Sequence, residues 1–141
     1  MKKPAPSSGL VIRYDYLWRN EARRGSVEGA KVRPCAIVVA VINAQDEQRV
    51  MIAPITHTQP ESTDGIEIPS GIKRHLNLDD KQSWIITTEV NEIDWNDPGI
   101  VPASTTQWEY GYLPSTLAQA MIDAIRDRLN ASKLKVTMRE A

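Results

Sequence analysis

Arg33, Thr56 and His57 have side chains and positions suited to phosphate chemistry. Arg33 opens an apolar run that continues as Pro34-Cys35-Ala36-Ile37-Val38-Val39, and Thr56 and His57 close another, Val50-Met51-Ile52-Ala53-Pro54-Ile55. A hairpin of two such strands carries their polar tips to one end of a sheet. A guanidinium is a planar fork that matches two phosphate oxygens and stays charged at any working pH. Aimed at a phosphate under attack, it stabilises charge that grows in the transition state. The bland alternative is a salt bridge from Arg33 to Glu28 or Glu89 that fastens the adjoining loop. The Thr56 hydroxyl can bond a phosphate oxygen or simply cap the strand end. An imidazole changes charge near neutral pH, so His57 suits general acid or base work, or a hydrogen-bonded place on the surface. Adjacent strand residues point to opposite faces, so Thr56 and His57 share a site only if the strand has ended there.

The elements that hold these residues follow from periodicity. From Gly9 to Trp18 the even positions Ile12, Tyr14, Tyr16 and Trp18 alternate with Arg13 and Asp15, a strand period. Arg19 to Val32 carries Gly25, Ser26 and Gly29 among charges and reads as a long loop. Cys35 to Ile42 is continuously apolar and rich in Val and Ile, as in a central strand buried on both faces. Pro34 opens it and biases Arg33 towards an extended backbone. A polar turn over Asn43 to Gln48 joins it to Val50–Ile55. Gly65 to Pro69 is a short strand, Ser70 to Leu78 a brief helical turn with Ser70 as N-cap, and Ser83 to Glu89 a strand that Val90 to Trp95 extends past a bend. Asn96-Asp97-Pro98-Gly99 is a turn. After Pro114 the stripe Leu117, Met121, Ile122, Ile125 and Leu129 marks an amphipathic helix that stops at Asn130. Its apolar face docks on the sheet or, in part, on a partner subunit. Residues 1–8 read as a disordered lead, 9–130 as one domain and 131–141 as a polar tail. A mostly β (α+β) fold is expected: about five to six short antiparallel strands in a small bent barrel, with a C-terminal helix as a lid.

Composition narrows the function classes. With 41% hydrophobic and 25% charged residues, the chain belongs among ordinary globular domains. The polar N-terminus lacks a signal-peptide core, and no apolar run nears the roughly 20 residues that span a bilayer. A single cysteine excludes an internal disulfide and points to the cytoplasm. One Cys and two His do not make a dedicated zinc site, so neither a metal nor another cofactor is expected. Trp18, Trp84, Trp95 and Trp108 stand in for the absent phenylalanines of the core, and an exposed one would stack on a nucleobase. The net charge of −1 argues mildly against a nucleic-acid partner, but charge is unevenly spread. Arg19 to Arg33 holds five basic residues against two acids, and Asp79 to Gly99 holds six acids against Lys81. One surface can therefore be basic although the whole chain is not.

These motifs together resemble the MazF/PemK-like growth-inhibitor toxins, the toxin half of toxin–antitoxin modules. The likeness runs from Gly9 to about Leu129. It rests on Gly9-Leu10-Val11, on Glu28-Gly29-Ala30-Lys31-Val32-Arg33-Pro34, and on Pro54-Ile55-Thr56. Ser83 to Asp94 and Gly111-Tyr112-Leu113-Pro114 extend it. The pairing of Lys-x-Arg-Pro with Pro-x-Thr at this spacing is its most specific part.

The resemblance implies an SH3-like barrel, a homodimer, and a metal-independent endoribonuclease (an mRNA interferase) acting on single-stranded RNA at short sequences. In that chemistry the ribose 2′-hydroxyl attacks its own phosphate, so DNA is spared. It implies Arg33 and Thr56 as catalytic residues; His57, itself a catalytic candidate, or Glu89, otherwise a substrate contact, would substitute as base for a family pair that this chain lacks. It also implies that Arg23, Arg24 and Lys31 grip RNA, with Asn91 as a further contact, and that a cognate antitoxin fills the RNA groove. The Arg-x-Asp pair of the plasmid-encoded branch is replaced here by Ile86 and Thr88. Two other functions share such a fold: a non-nucleolytic toxin that binds a protein target such as DNA gyrase, and an inactive relative that binds RNA or a partner.

Overall fold

The computed structural model describes residues 1–29, 31–42 and 45–139. In chain order its elements are β1 (Leu10–Tyr14), α1 (Arg19–Arg23), β2 (Arg33–Ile42), β3 (Gln48–Thr56), β4 (Gly65–Glu67) and α2 (Ser70–His75). They continue as β5 (Trp84–Ile86), β6 (Glu89–Asp94), β7 (Ile100–Val101), β8 (Gly111–Tyr112), α3 (Ser115–Asn130) and β9 (Lys135–Met138). The fold is α+β and mostly antiparallel sheet, with more strands than the sequence suggests.

The two apolar runs are its centre. β2 and β3 form the hairpin in a register that sets Cys35 opposite Pro54 and Ile37 opposite Ile52. β1 covers the outer edge of β2, and takes β7 and β8 on its own far side. The outer edge of β3 is shared, its tip by β5 and its body by β6. That sharing is the bend expected between Glu89 and Val90, displaced to Thr87-Thr88. The strand path β4-β5-β3-β2-β1-β7 ends at two short edge strands that do not pair with each other among the described residues, so the sheet is open.

Strand alternation sorts the core onto two faces. Ala36, Val38, Ala53 and Ile55 join Leu117, Met121 and Ile125 of α3 on one face. Cys35, Ile37, Val50 and Ile52 join Tyr14, Tyr16 and Trp95 on the other. This confirms β2 as a strand buried on both faces, but only from Cys35 to Val38. An irregularity between Ile37 and Val39 breaks the register, and Val39, Val41 and Ile42 emerge into solvent. The α3 stripe docks as its periodicity requires, except for Leu129, which is exposed. Trp84 and Trp95 are core residues, whereas Trp18 and Trp108 are only partly buried at the rim.

Four expectations are revised. The segment from Arg19 is a short helix, because Glu21 reaches back to the Trp18 N–H (3.0 Å) and Gly25, at φ +92°, ends the turn. Ser70 is the first helical residue of α2, and Pro69 occupies the N-cap place. Residues 1–8 dock on the sheet: Lys3 donates to the Trp95 carbonyl, the Trp95 indole donates to the Pro4 carbonyl (3.1 Å), and the Ser8 hydroxyl donates to the Val38 carbonyl (2.8 Å). The polar tail contains β9, which pairs in parallel with β6 from Glu89 opposite Lys135 to Glu92 opposite Met138. Of the expected turn, Asn43 and Ala44 lie outside the described residues, as do Ala30 and the last two residues of the tail.

Candidate active site

The hairpin register brings Arg33 and Thr56 to the same end of the sheet, as the sequence requires. Beside that end lies a cleft of about 300 Å³ whose walls include Lys31, Arg33, His57, Asp79, Ser83 and Tyr110. Pro34 and Ile55 form its apolar floor.

Arg33 is half-buried. Its Nε is buried without a hydrogen-bond partner, and its guanidinium lies over the Trp18 ring at 5.0 Å. That contact is worth about 0.5–1 kcal/mol. Trp18 is held in turn by the edge-to-face Tyr16 ring at 5.2 Å and 72°. Among the described residues no carboxylate pairs with Arg33. The salt bridge to Glu28 or Glu89 is therefore not formed. An aromatic support without a counter-ion leaves the positive charge available to a ligand.

His57 and Thr56 part company. The strand runs through Thr56, so Ile55 and His57 border the cleft while Thr56 does not line it. The Thr56 oxygen accepts the Thr58 N–H at 3.1 Å, which leaves its own O–H free to donate. The His57 Nε2 stands 2.8 Å from Asp79 Oδ2. The other oxygen of Asp79 accepts from the buried Lys73 ammonium (3.0 Å) and from the Lys81 N–H (3.1 Å). Burial opposes ionisation of this carboxyl, but the Lys73 and Lys81 bonds and the nearby His57 prevail and hold its pKa below the usual range. Across the cleft, burial pushes the Tyr110 phenol up, so it remains a neutral donor at ordinary pH.

Glu89, Arg23 and Arg24 belong to a second, more open cleft of about 960 Å³, whereas Lys31 stays in the first. Arg19, Arg23, Arg24 and Lys135 face Glu21 and Glu89 there, with Trp18 in the wall. The cations outnumber the carboxylates, so this surface is basic in a chain of net charge −1. Arg23 and Arg24 are exposed, and Arg19 ties α1 to β9 through the Val136 carbonyl (3.2 Å). Arg33 therefore stands between the two clefts, lining one and stacked on the tryptophan of the other.

Glu89 accepts from the Tyr16 hydroxyl and the Arg19 N–H, both at 3.0 Å. Burial raises its pKa above the ordinary carboxylate value, against those two bonds and the Arg19 charge. The fold therefore favours its protonated form. The penalty on the charged form is absent in acid, grows as pH rises from the unfolded pKa, and is complete above the folded one. Glu89→Gln can accept the same two bonds without the charge. Its urea midpoint should exceed that of wild type near pH 8 and match it near pH 4; a wild type as stable as the variant near pH 8 would overturn this.

Asn91 is fully buried. Its amide bonds the Leu17 N–H and carbonyl (2.9 and 2.8 Å) and accepts from Arg139 (3.2 Å). It shapes the segment that carries Trp18 instead of facing either cleft. Asp79 and Tyr110 are cleft residues that the sequence reading missed, as is Lys73, which holds Asp79 from outside the cleft. Asp79 sits in an Asp-Asp-Lys turn indistinguishable from a solvated loop, and only the fold places it beside His57. Among the described residues no group of three or more His, Cys, Asp or Glu is placed to hold a metal ion, and no helix is long and apolar enough to cross a membrane. A scan of protein-family models finds none that matches the chain, and a search of curated proteins finds no match, so the functional reading rests on the residues and their geometry.

Proposed function

We propose that the chain is a cytoplasmic toxin of the MazF/PemK-like kind, a metal-independent endoribonuclease that cuts single-stranded RNA. In this reading the sheet and α3 are an SH3-like barrel with its lid, two chains form a homodimer, and a cognate antitoxin blocks the groove. The observation that carries the proposal is Arg33: a guanidinium supported by Trp18, without a carboxylate partner among the described residues, in the wall of a cleft that also holds a histidine. A phosphodiester seated there places its non-bridging oxygens on the fork. The ribose 2′-hydroxyl attacks the adjacent phosphorus, the bond to the 5′ oxygen breaks, and a cyclic phosphate remains. Arg33 stabilises the charge that accumulates on the phosphoryl oxygens, whereas Thr56, outside this cleft, accepts the Thr58 N–H at the strand end. Lys31 meets the phosphates in the Arg33 cleft, and the basic cleft continues the path for the strand, with Arg23 and Arg24 on its phosphates and Trp18 beside its bases.

Purified protein incubated in EDTA with a long single-stranded RNA should give discrete fragments ending in cyclic phosphate, and should leave DNA of the same sequence whole. Intact RNA beside a folded protein would refute the ribonuclease. It would move the reading to a toxin acting on a protein target such as DNA gyrase, or to a domain that binds RNA without cutting it.

A further inference from the structure

We propose that Asp79, anchored by the buried Lys73, is a positioning residue that fixes the tautomer of His57 and so makes its Nδ1 the proton acceptor of this site. The inference rests on the ribonuclease reading and names the base that reading needs. An exposed His–Asp pair by itself signals little. Here the carboxylate is not a loose surface partner. Oδ1 is held from the protein side by Lys73, whose side chain is only 5% exposed, and by the Lys81 backbone, while Oδ2 alone faces His57. A fixed acceptor at Nε2 keeps the proton of the neutral ring on that nitrogen. Nδ1 is left with a lone pair and has no partner among the described residues.

The proton balance is simple. Nδ1 takes the 2′-hydroxyl proton as the O2′–P bond forms. The P–O5′ bond breaks, the departing oxygen takes a proton from water, and the imidazolium returns its proton to solvent. Arg33 carries the phosphoryl charge throughout, so the two residues divide the work of one step.

Asp79→Asn separates this role from mere support. Its carbonyl keeps the Lys73 and Lys81 bonds, but its NH₂ now faces Nε2. That nitrogen must become an acceptor, and the ring proton moves to Nδ1. Long-range ¹H–¹⁵N correlation should show the Nε2–H tautomer in wild type and the Nδ1–H tautomer in the variant. Cleavage in EDTA should lose on the order of 10² in kcat with KM unchanged, a general-base-sized loss. His57→Gln should lose as much, and the double variant no more. An unchanged tautomer in Asp79→Asn overturns the proposal, as does wild-type kcat in Asp79→Asn. If Asp79→Asn does not fold, His57→Gln decides alone, and full activity there is fatal. Should wild type cleave while Arg33→Ala does not, and both cleft variants cleave normally, only this inference falls. Should wild type itself leave RNA intact, the ribonuclease reading falls and takes this role with it.

Discussion

Arg33→Ala is expected to reduce RNA cleavage on the order of 10³-fold or more while moving the thermal melt by less than about 1 kcal/mol. The two effects separate because of where the side chain spends its interactions. It makes no ion pair among the described residues, and its one aromatic contact, with Trp18, is of the size just given. Stability loses little when it goes. Catalysis loses the charge that the transition state needs, in a cleft where no other arginine stands in the wall. Arg33→Lys should recover only a small part of the rate, because an ammonium is a point charge and cannot present a fork to two oxygens. Cleavage by Arg33→Ala at the wild-type rate would remove the residue from the mechanism. Growth arrest that survives Arg33→Ala but not loss of α3 would instead identify a protein target.

Arg139→Ala, just past β9, should be the most destabilising single change at the C-terminal end, by about 3 kcal/mol, which lowers the melting temperature by roughly 10 °C. Its side chain is 9% exposed, and its guanidinium donates to the Asp15 carbonyl (2.7 Å), to Asn91 Oδ1 (3.2 Å) and to the Val27 carbonyl (3.2 Å). It also pairs with the Asp15 carboxylate at 3.5 Å and lies over the Tyr14 ring at 5.3 Å. Truncation leaves those acceptors without their donor in a poorly hydrated place. Because Asp15 and Val27 bracket the segment that carries Trp18 and α1, amide exchange over that segment should accelerate as well. Arg139→Lys, which keeps the charge but not the fork, should restore less than half of the loss. Coincident urea transitions for wild type and Arg139→Ala would show that the cluster contributes nothing.

Legibility in the sequence followed apolar content. The hairpin of β2 and β3, the end at which Arg33 and Thr56 meet, and the helix after Pro114 were all readable, because burial on both sheet faces or on one helix face leaves a periodic trace. α1 was not: Arg-Asn-Glu-Ala-Arg has no apolar face, and the helix depends on the Glu21 bond to the Trp18 N–H and on Gly25. β9 and the Arg139 that follows it were not either, since Lys135, Thr137 and Arg139 read as solvated, whereas Thr137 and Arg139 are buried. Its place is set by backbone pairing to β6 and by acceptors contributed from residues far upstream. For the same reason the partner of His57 was hidden. Nothing local distinguishes Asp79 from Asp80, and the carboxylate acquires its meaning from Lys73 and from the approach of β3.

The contacts that complete the site also set when it comes into being. Ser7 meets Tyr112 across 105 residues of chain, Arg19 meets Val136 across 117, and Arg139 meets Asp15 across 124. The central hairpin closes a short loop and can zip early, whereas these closures are opposed by the entropy of very long ones. Such topologies fold in milliseconds to seconds, not in microseconds. A hairpin that zips first would make Arg33 and Thr56 neighbours before the Trp18 platform and the basic cleft assemble. If the proposed ribonuclease reading holds, a chain whose ends have not docked lacks the complete site, and cleavage should appear only with the final long-range closures.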